Sequence, residues 1–247
     1  MGFALRPLAL IWGDTRIFTQ SLSACGTVPP MTNAVNVVRP LLRGYLHLAV
    51  ALLAPVALAL LLLIADSPSA YVGAAIFGAA LLLLFSTSAS FHLAPWPARV
   101  RPFVGRLDHS MIFVAIGGMY TPFCLRTMPL AWGIPLLSVV WGLAALGILM
   151  KLTWRKPPRW LSVGAYLALG WVALVAVQPL ANGLPTLALA LLVTAGALFS
   201  IGALCYGAKR PNPFPRFIGH HELFHAFQTS ATALVYVIVA VYVLPAP

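Results

Sequence analysis

The sequence predicts an all-α protein, a bundle of seven transmembrane helices. Three observations carry this reading. First, 61% of the residues are hydrophobic and only 8% charged, far from the quarter-charged composition of a soluble domain. Second, the apolar residues gather into seven runs, each near the ~20 residues needed to cross the hydrocarbon core of a bilayer. They cover about residues 44–65, 69–93, 108–126, 129–150, 160–178, 184–206 and 220–243. Third, the basic residues occupy alternate gaps between those runs.

Each gap carries turn residues: Asp66-Ser67-Pro68, Pro95-Trp96-Pro97, Pro157-Pro158, Asn182-Gly183, and Pro211 with Pro213 and Pro215. Fourteen of the fifteen Lys and Arg residues fall before the first run or in the second, fourth and sixth connections, and Arg126 alone lies on the other side. The positive-inside rule then predicts a cytoplasmic N-terminus and an outside C-terminus. A multi-pass protein of the cell membrane follows, the inner membrane in a bacterium. The net charge of +11 does not imply a nucleic-acid partner, because the basic residues form no stripe on a soluble surface. The partners expected are membrane lipids. Cys25, Cys124 and Cys205 are odd in number, widely spaced and form no CxxC pair, so neither a disulfide framework nor a thiolate metal site is indicated.

Two segments are expected, an N-terminal cytoplasmic stretch over residues 1–40 and the membrane domain over 41–247. Leu22-Ser23-Ala24-Cys25 looks like a lipoprotein cleavage box, but Asp14 and Arg16 interrupt the apolar stretch that should precede it. A translation start at Met31 would leave residues 1–30 outside the natural protein.

The polar residues within the runs converge on one level. The second run descends to Ser88 and His92 at the cytoplasmic side, the third opens there with Asp108, and the seventh opens with His221-Glu222-Leu223-Phe224-His225. On a helix, His221 and His225 lie about 40° apart around the axis and about 6 Å along it, so two imidazoles can grip one ion. His92 can supply a third ligand, leaving a fourth tetrahedral position for water, the pattern of a catalytic zinc. Ser88 shares a helix face with His92, and Asp108 is placed to hold the water or orient a ligand imidazole. Simpler roles exist for single residues: Asp108 as a helix N-cap and Ser88 bonded back onto its own helix. His47, His109 and His220 lack a partner at helical spacing and are read as interfacial.

The pattern of Ser88 and His92, Asp108, and His221 with His225 resembles the hemolysin III family of bacteria. Leu107-Asp108-His109-Ser110, Tyr120-Thr121-Pro122 and Gly219-His220-His221-Glu222 strengthen the likeness, which runs from about Arg43 to Val243. That family belongs with the adiponectin and progestin receptors in a superfamily of membrane metal-dependent hydrolases that includes alkaline ceramidases. The resemblance implies zinc on His92, His221 and His225, with Asp108 and Ser88 beside its water.

The resulting expectation is a zinc-dependent lipid hydrolase of the inner leaflet, acting on an amide-linked acyl chain and contributing to membrane lipid homeostasis. The alternatives are a lipid sensor with structural zinc, a cytolytic pore, and an intramembrane protease. The last arises because His221 to His225 also spells HExxH, with Glu222 as the base. The adiponectin receptors carry Gln at that position, which by resemblance argues against it. Topology is directly testable. A periplasm-dependent reporter fused after Val243 is expected to be active, and activity only of a cytoplasm-dependent reporter contradicts the orientation.

Overall fold

The computed structural model describes residues 44–214 and 216–245, so the predicted N-terminal stretch, with Cys25 and Met31, lies outside the described residues. The described chain is helical: α1 Tyr45–Ile64, α2 Pro68–Leu93, α3 Arg101–Arg126, α4 Leu130–Thr153, α5 Arg159–Trp171, α6 Val177–Gly183, α7 Thr186–Ala208 and α8 His220–Ile238. A 3-10 segment, Val172–Ala176, joins α5 and α6 into one rod, and a π turn, Val239–Val243, extends α8. The result is an all-α bundle of seven rods.

Six rods are long and apolar enough to cross a membrane by themselves. The exception is α3, whose 26 residues span about 39 Å at 1.5 Å per residue, more than the ~30 Å core. Arg101, Arg106, Asp108 and His109 dilute its apolar character. It packs between α2 and α4, and a helix screened from lipid by its neighbours can carry polar groups that a lipid-facing helix cannot. Leu52, Leu53, Leu63 and Val193 are exposed on the outer rods, where lipid tails would meet them.

Helix α3 also begins at Arg101 rather than near residue 108. Pro102 falls in its first turn, where proline's fixed φ suits helix initiation and its missing N–H costs nothing. Arg106 donates to the carbonyl of Leu152 at 3.0 Å, a cation on the negative end of α4. Asp108 therefore lies two turns inside α3, which rules out the helix-cap role.

Capping and small-residue contacts fix the packing. Ser67 caps α2 by accepting from the Ala70 N–H at 3.3 Å. Arg126 donates to Ser67 and Asp66 at 3.0 and 3.1 Å and to the Val243 carbonyl at 3.3 Å. The single basic residue away from the others thus ties the end of α3 to the α1–α2 turn and the end of α8. Gly118 of α3 abuts Ala80 of α2 so closely that a Cβ would not fit, the close approach that small residues permit between membrane helices.

The break between α5 and α6 has a specific partner. The Tyr120 hydroxyl accepts from the Ala173 N–H at 2.7 Å and donates to the Gly170 carbonyl at 2.7 Å. In hydrocarbon a lost helical hydrogen bond must be replaced inside the protein, and Tyr120 replaces it there. The antiparallel alternation of rods brings the starts of α1, α3 and α8 to the same end of the bundle as the finish of α2.

Candidate metal centre

His92 lies one residue before the end of α2, and His221 and His225 occupy the first two turns of α8. Glu222 accepts from the Gly219 N–H at 2.9 Å, fixing the start of α8 and with it the direction of both histidines. Gly44, at φ +87°, lies against His92, and a Cβ there would come within 2.7 Å of the His92 Cβ. Only glycine combines that backbone conformation with that approach.

The three imidazoles form one group, with a nitrogen from each lying within 4.8 Å of the others. The Nε2 atoms of His221 and His92 are 3.2 Å apart. Two nitrogens bound at 2.0–2.1 Å to a tetrahedral ion would be about 3.3 Å apart, so this spacing fits a shared cation. The donors are three imidazoles, a set that suits zinc and several other transition metals. The group can hold a metal ion, and it comprises the three histidines that the sequence brings to one level.

Ser88 and Asp108 lie in the wall of a small polar cavity that His221 and His225 also line. Ser88 is 2% and Asp108 8% exposed, and the Ser88 hydroxyl lies next to the Asp108 carboxylate. His109 Nδ1 is 2.7 Å from the Gly105 carbonyl and Nε2 is 3.1 Å from the Tyr206 hydroxyl. A carbonyl only accepts, so Nδ1 carries a proton, and Nε2 faces the Tyr206 hydroxyl. Tyr206 in turn lies 5.7 Å, centre to centre, from the His221 ring.

Three further residues in the wall, His47, His109 and Gln228, were not expected there, and the interfacial reading of His47 and His109 is corrected. His47 is 2% exposed, stacks on His225 with ring centres 3.8 Å apart, and has neither ring nitrogen hydrogen-bonded among the described residues. It enters the site because α1 starts at the same end as α8, two residues before it. His109 belongs to the cavity wall as well, and His220 bonds outward to Asn212. Gln228, three residues after His225, is also buried and lines the cavity.

A second, apolar cavity of about 260 Å³ adjoins the first. The two share Ile112, Tyr166, Phe224 and Gln228. Its α3 lining runs from Ile112 to Cys124, a length of about 18 Å at helical rise. A small, metal-competent pocket therefore lies beside a long apolar one, with four residues in the wall of both.

Residues 35–236 match the family model described as Haemolysin-III related. The chain belongs to the haemolysin III family. It is 35% identical over 172 residues to a hemolysin-3 homolog of Bacillus subtilis (strain 168), covering 70% of this chain and 78% of that protein. It is 34% identical over 179 residues to hemolysin-3 of Bacillus cereus, covering 72% and 78%. With its apolar rods, this makes it a multi-pass membrane protein of the haemolysin III type.

Metal analysis of the purified protein is expected to find about one transition-metal ion per chain, the capacity of a single three-histidine site. The variant carrying His221→Ala and His225→Ala should lose it. Full occupancy in that variant would exclude the site.

Proposed function

We propose that this haemolysin III-type protein is a zinc-dependent hydrolase that cleaves an amide-linked acyl chain from membrane lipid at the inner leaflet. The observation that carries this reading is the adjacency of the two cavities, which share Ile112, Tyr166, Phe224 and Gln228 in their walls. An acyl chain in the apolar chamber would place its carbonyl in the polar chamber, beside the three imidazoles and Asp108.

His92, His221 and His225 would hold the ion, which when bound acidifies a coordinated water to a pKa of about 7 and polarises the substrate carbonyl. Asp108 accepts a proton from the attacking water. The Ser88 hydroxyl donates to Asp108 and keeps one carboxylate oxygen turned toward the chamber. As the carbon–nitrogen bond breaks, Asp108 returns the proton to the departing amine. Water is consumed, and a fatty acid and an amine leave. The apolar chamber holds the chain and excludes bulk water, which strengthens these electrostatic contacts.

The orientation with this end at the cytoplasm, in a bacterial inner membrane, is supported by the basic residues flanking the same ends of the rods. The capping bond from Gly219 to Glu222 supports Asp108 over Glu222 as the proton acceptor, and the third histidine comes from α2 rather than from a carboxylate beyond His225, unlike the protease pattern. The name of the Bacillus cereus relative implies cytolysis. A pore needs polar lining through the membrane, whereas the long cavity here is apolar, which favours lipid over water and ions as its occupant.

Asp108→Asn is expected to abolish amide hydrolysis with zinc retained. Glu222→Gln should stay within roughly tenfold of the parent, about 1.4 kcal/mol of barrier. An inactive Glu222→Gln beside an active Asp108→Asn would transfer the base to Glu222. Loss of turnover in Asp108→Asn separates a hydrolase from a sensor whose zinc only staples the helices.

A further inference from the structure

Gln228 sits where the polar and apolar chambers meet. It lies on α8 three residues after His225, so it is rotated about 60° from it and lies about 4.5 Å deeper along the axis. Its side chain is 6% exposed, and it lines both cavities. No hydrogen bond to its amide is present among the described residues. Around it the apolar chamber is walled by Ile116, Phe224 and Val235.

A carboxamide offers two N–H donors and a carbonyl acceptor. Closing a saturated hydrocarbon chain over such a group is unfavourable, because its hydrogen bonds to water are lost and not replaced. An occupant with a hydrogen-bonding group at that depth removes the penalty. With the scissile carbonyl beside the imidazoles and the chain running down α8, a hydroxyl two or three bonds along the chain, at about 1.3 Å of advance per bond of a zigzag chain, comes within hydrogen-bond reach of a side chain rooted about 4.5 Å deeper. Three bonds from a carbonyl carbon lead to a hydroxyl oxygen on the β-carbon, and two lead to one on the α-carbon.

We infer that Gln228 is a specificity-determining residue that reads a hydroxyl near the carbonyl, so that the preferred substrate is a lipid amide of an α- or β-hydroxy fatty acid. The inference rests on the acyl-amide reading above. The amide N–H of Gln228 donates to the hydroxyl oxygen, or its carbonyl accepts the hydroxyl proton. A site built to hydrogen-bond a hydroxyl discriminates strongly against the analogue lacking it, because the site's own polar group is then left unpaired.

The test uses the full chain, zinc-loaded, in detergent micelles, with three probes of equal chain length: N-hexadecanoylethanolamine and its α-hydroxy and β-hydroxy forms. Binding is measured for the parent protein and for Gln228→Met, which conserves shape and removes the hydrogen bonds. The parent should bind one hydroxylated probe at least about tenfold more tightly than the plain one, about 1.4 kcal/mol. Gln228→Met should erase that preference while metal content stays unchanged. Indifference of the parent, preference for the plain chain, or failure to bind any probe overturns the inference, as does a preference that survives in Gln228→Met. The parent comparison decides even where that variant does not fold, and Gln228→Leu then supplies the second variant. Release of hexadecanoic acid is followed in parallel. Gln228-dependent selectivity without release sinks the hydrolase reading and leaves the inference standing, and release without selectivity does the reverse.

Discussion

Three imidazoles must meet at a point a few ångströms across, at one end of the bundle, with His225 buried and His92 and His221 half-buried. Each imidazole is costly to bury unless its nitrogens find a partner. The backbone that carries them has to satisfy its own hydrogen bonds within the helix, so the ligands come from rigid rods rather than from loops. The end of α2 and the start of α8 meet this demand, because Glu222 closes the first turn of α8 and Gly44 leaves room beside His92. A larger residue at Gly44 or a looser start to α8 would move a ligand by more than a metal's bond length tolerates.

The same constraint separates the polar and apolar functions of the interior. Polar side chains gather at one end, on α1, α2, α3, α7 and α8, and the cavity beyond them is lined mainly by hydrocarbon. α3 tolerates Asp108 and His109 because α2 and α4 screen it from lipid, and Tyr120 on the same helix holds the break in the α5–α6 rod that borders the apolar chamber. One helix therefore supplies the proposed proton acceptor at one end and shapes the apolar chamber further along. The ordering along α8 repeats the theme: His221, His225 and Gln228 share one side of the helix, passing from the ion site into the chamber.

Much of this was legible in the sequence where a fixed physical length or period governs. Bilayer thickness sets the length of an apolar run, and the edges of most rods follow to within a few residues. The spacing of His221 and His225 follows from the helical repeat, and alternation of the rods brings His92 and Asp108 to their level. The early start of α3 was not legible, because hydrophobic content cannot see that Arg106 will find the end of α4. His47 carried a usable signal, its place at the start of α1 on the site's side, yet a lone histidine has no spacing to betray it. Its stacking on His225 is a tertiary contact. Gln228 was visible at helical spacing from His225, but a carboxamide becomes informative only once two cavities are seen to meet beside it.

The central claim is that this site turns over lipid rather than merely bracing the bundle. Mass spectrometry of vesicles prepared from bacterial membrane lipids, with the purified zinc-loaded protein reconstituted in them, tests it most directly. The account predicts that a free fatty acid and the matching amine appear in equal amounts, and that chelation of the metal stops their release. An unchanged lipid profile in the presence of fully metal-loaded, folded protein would contradict it.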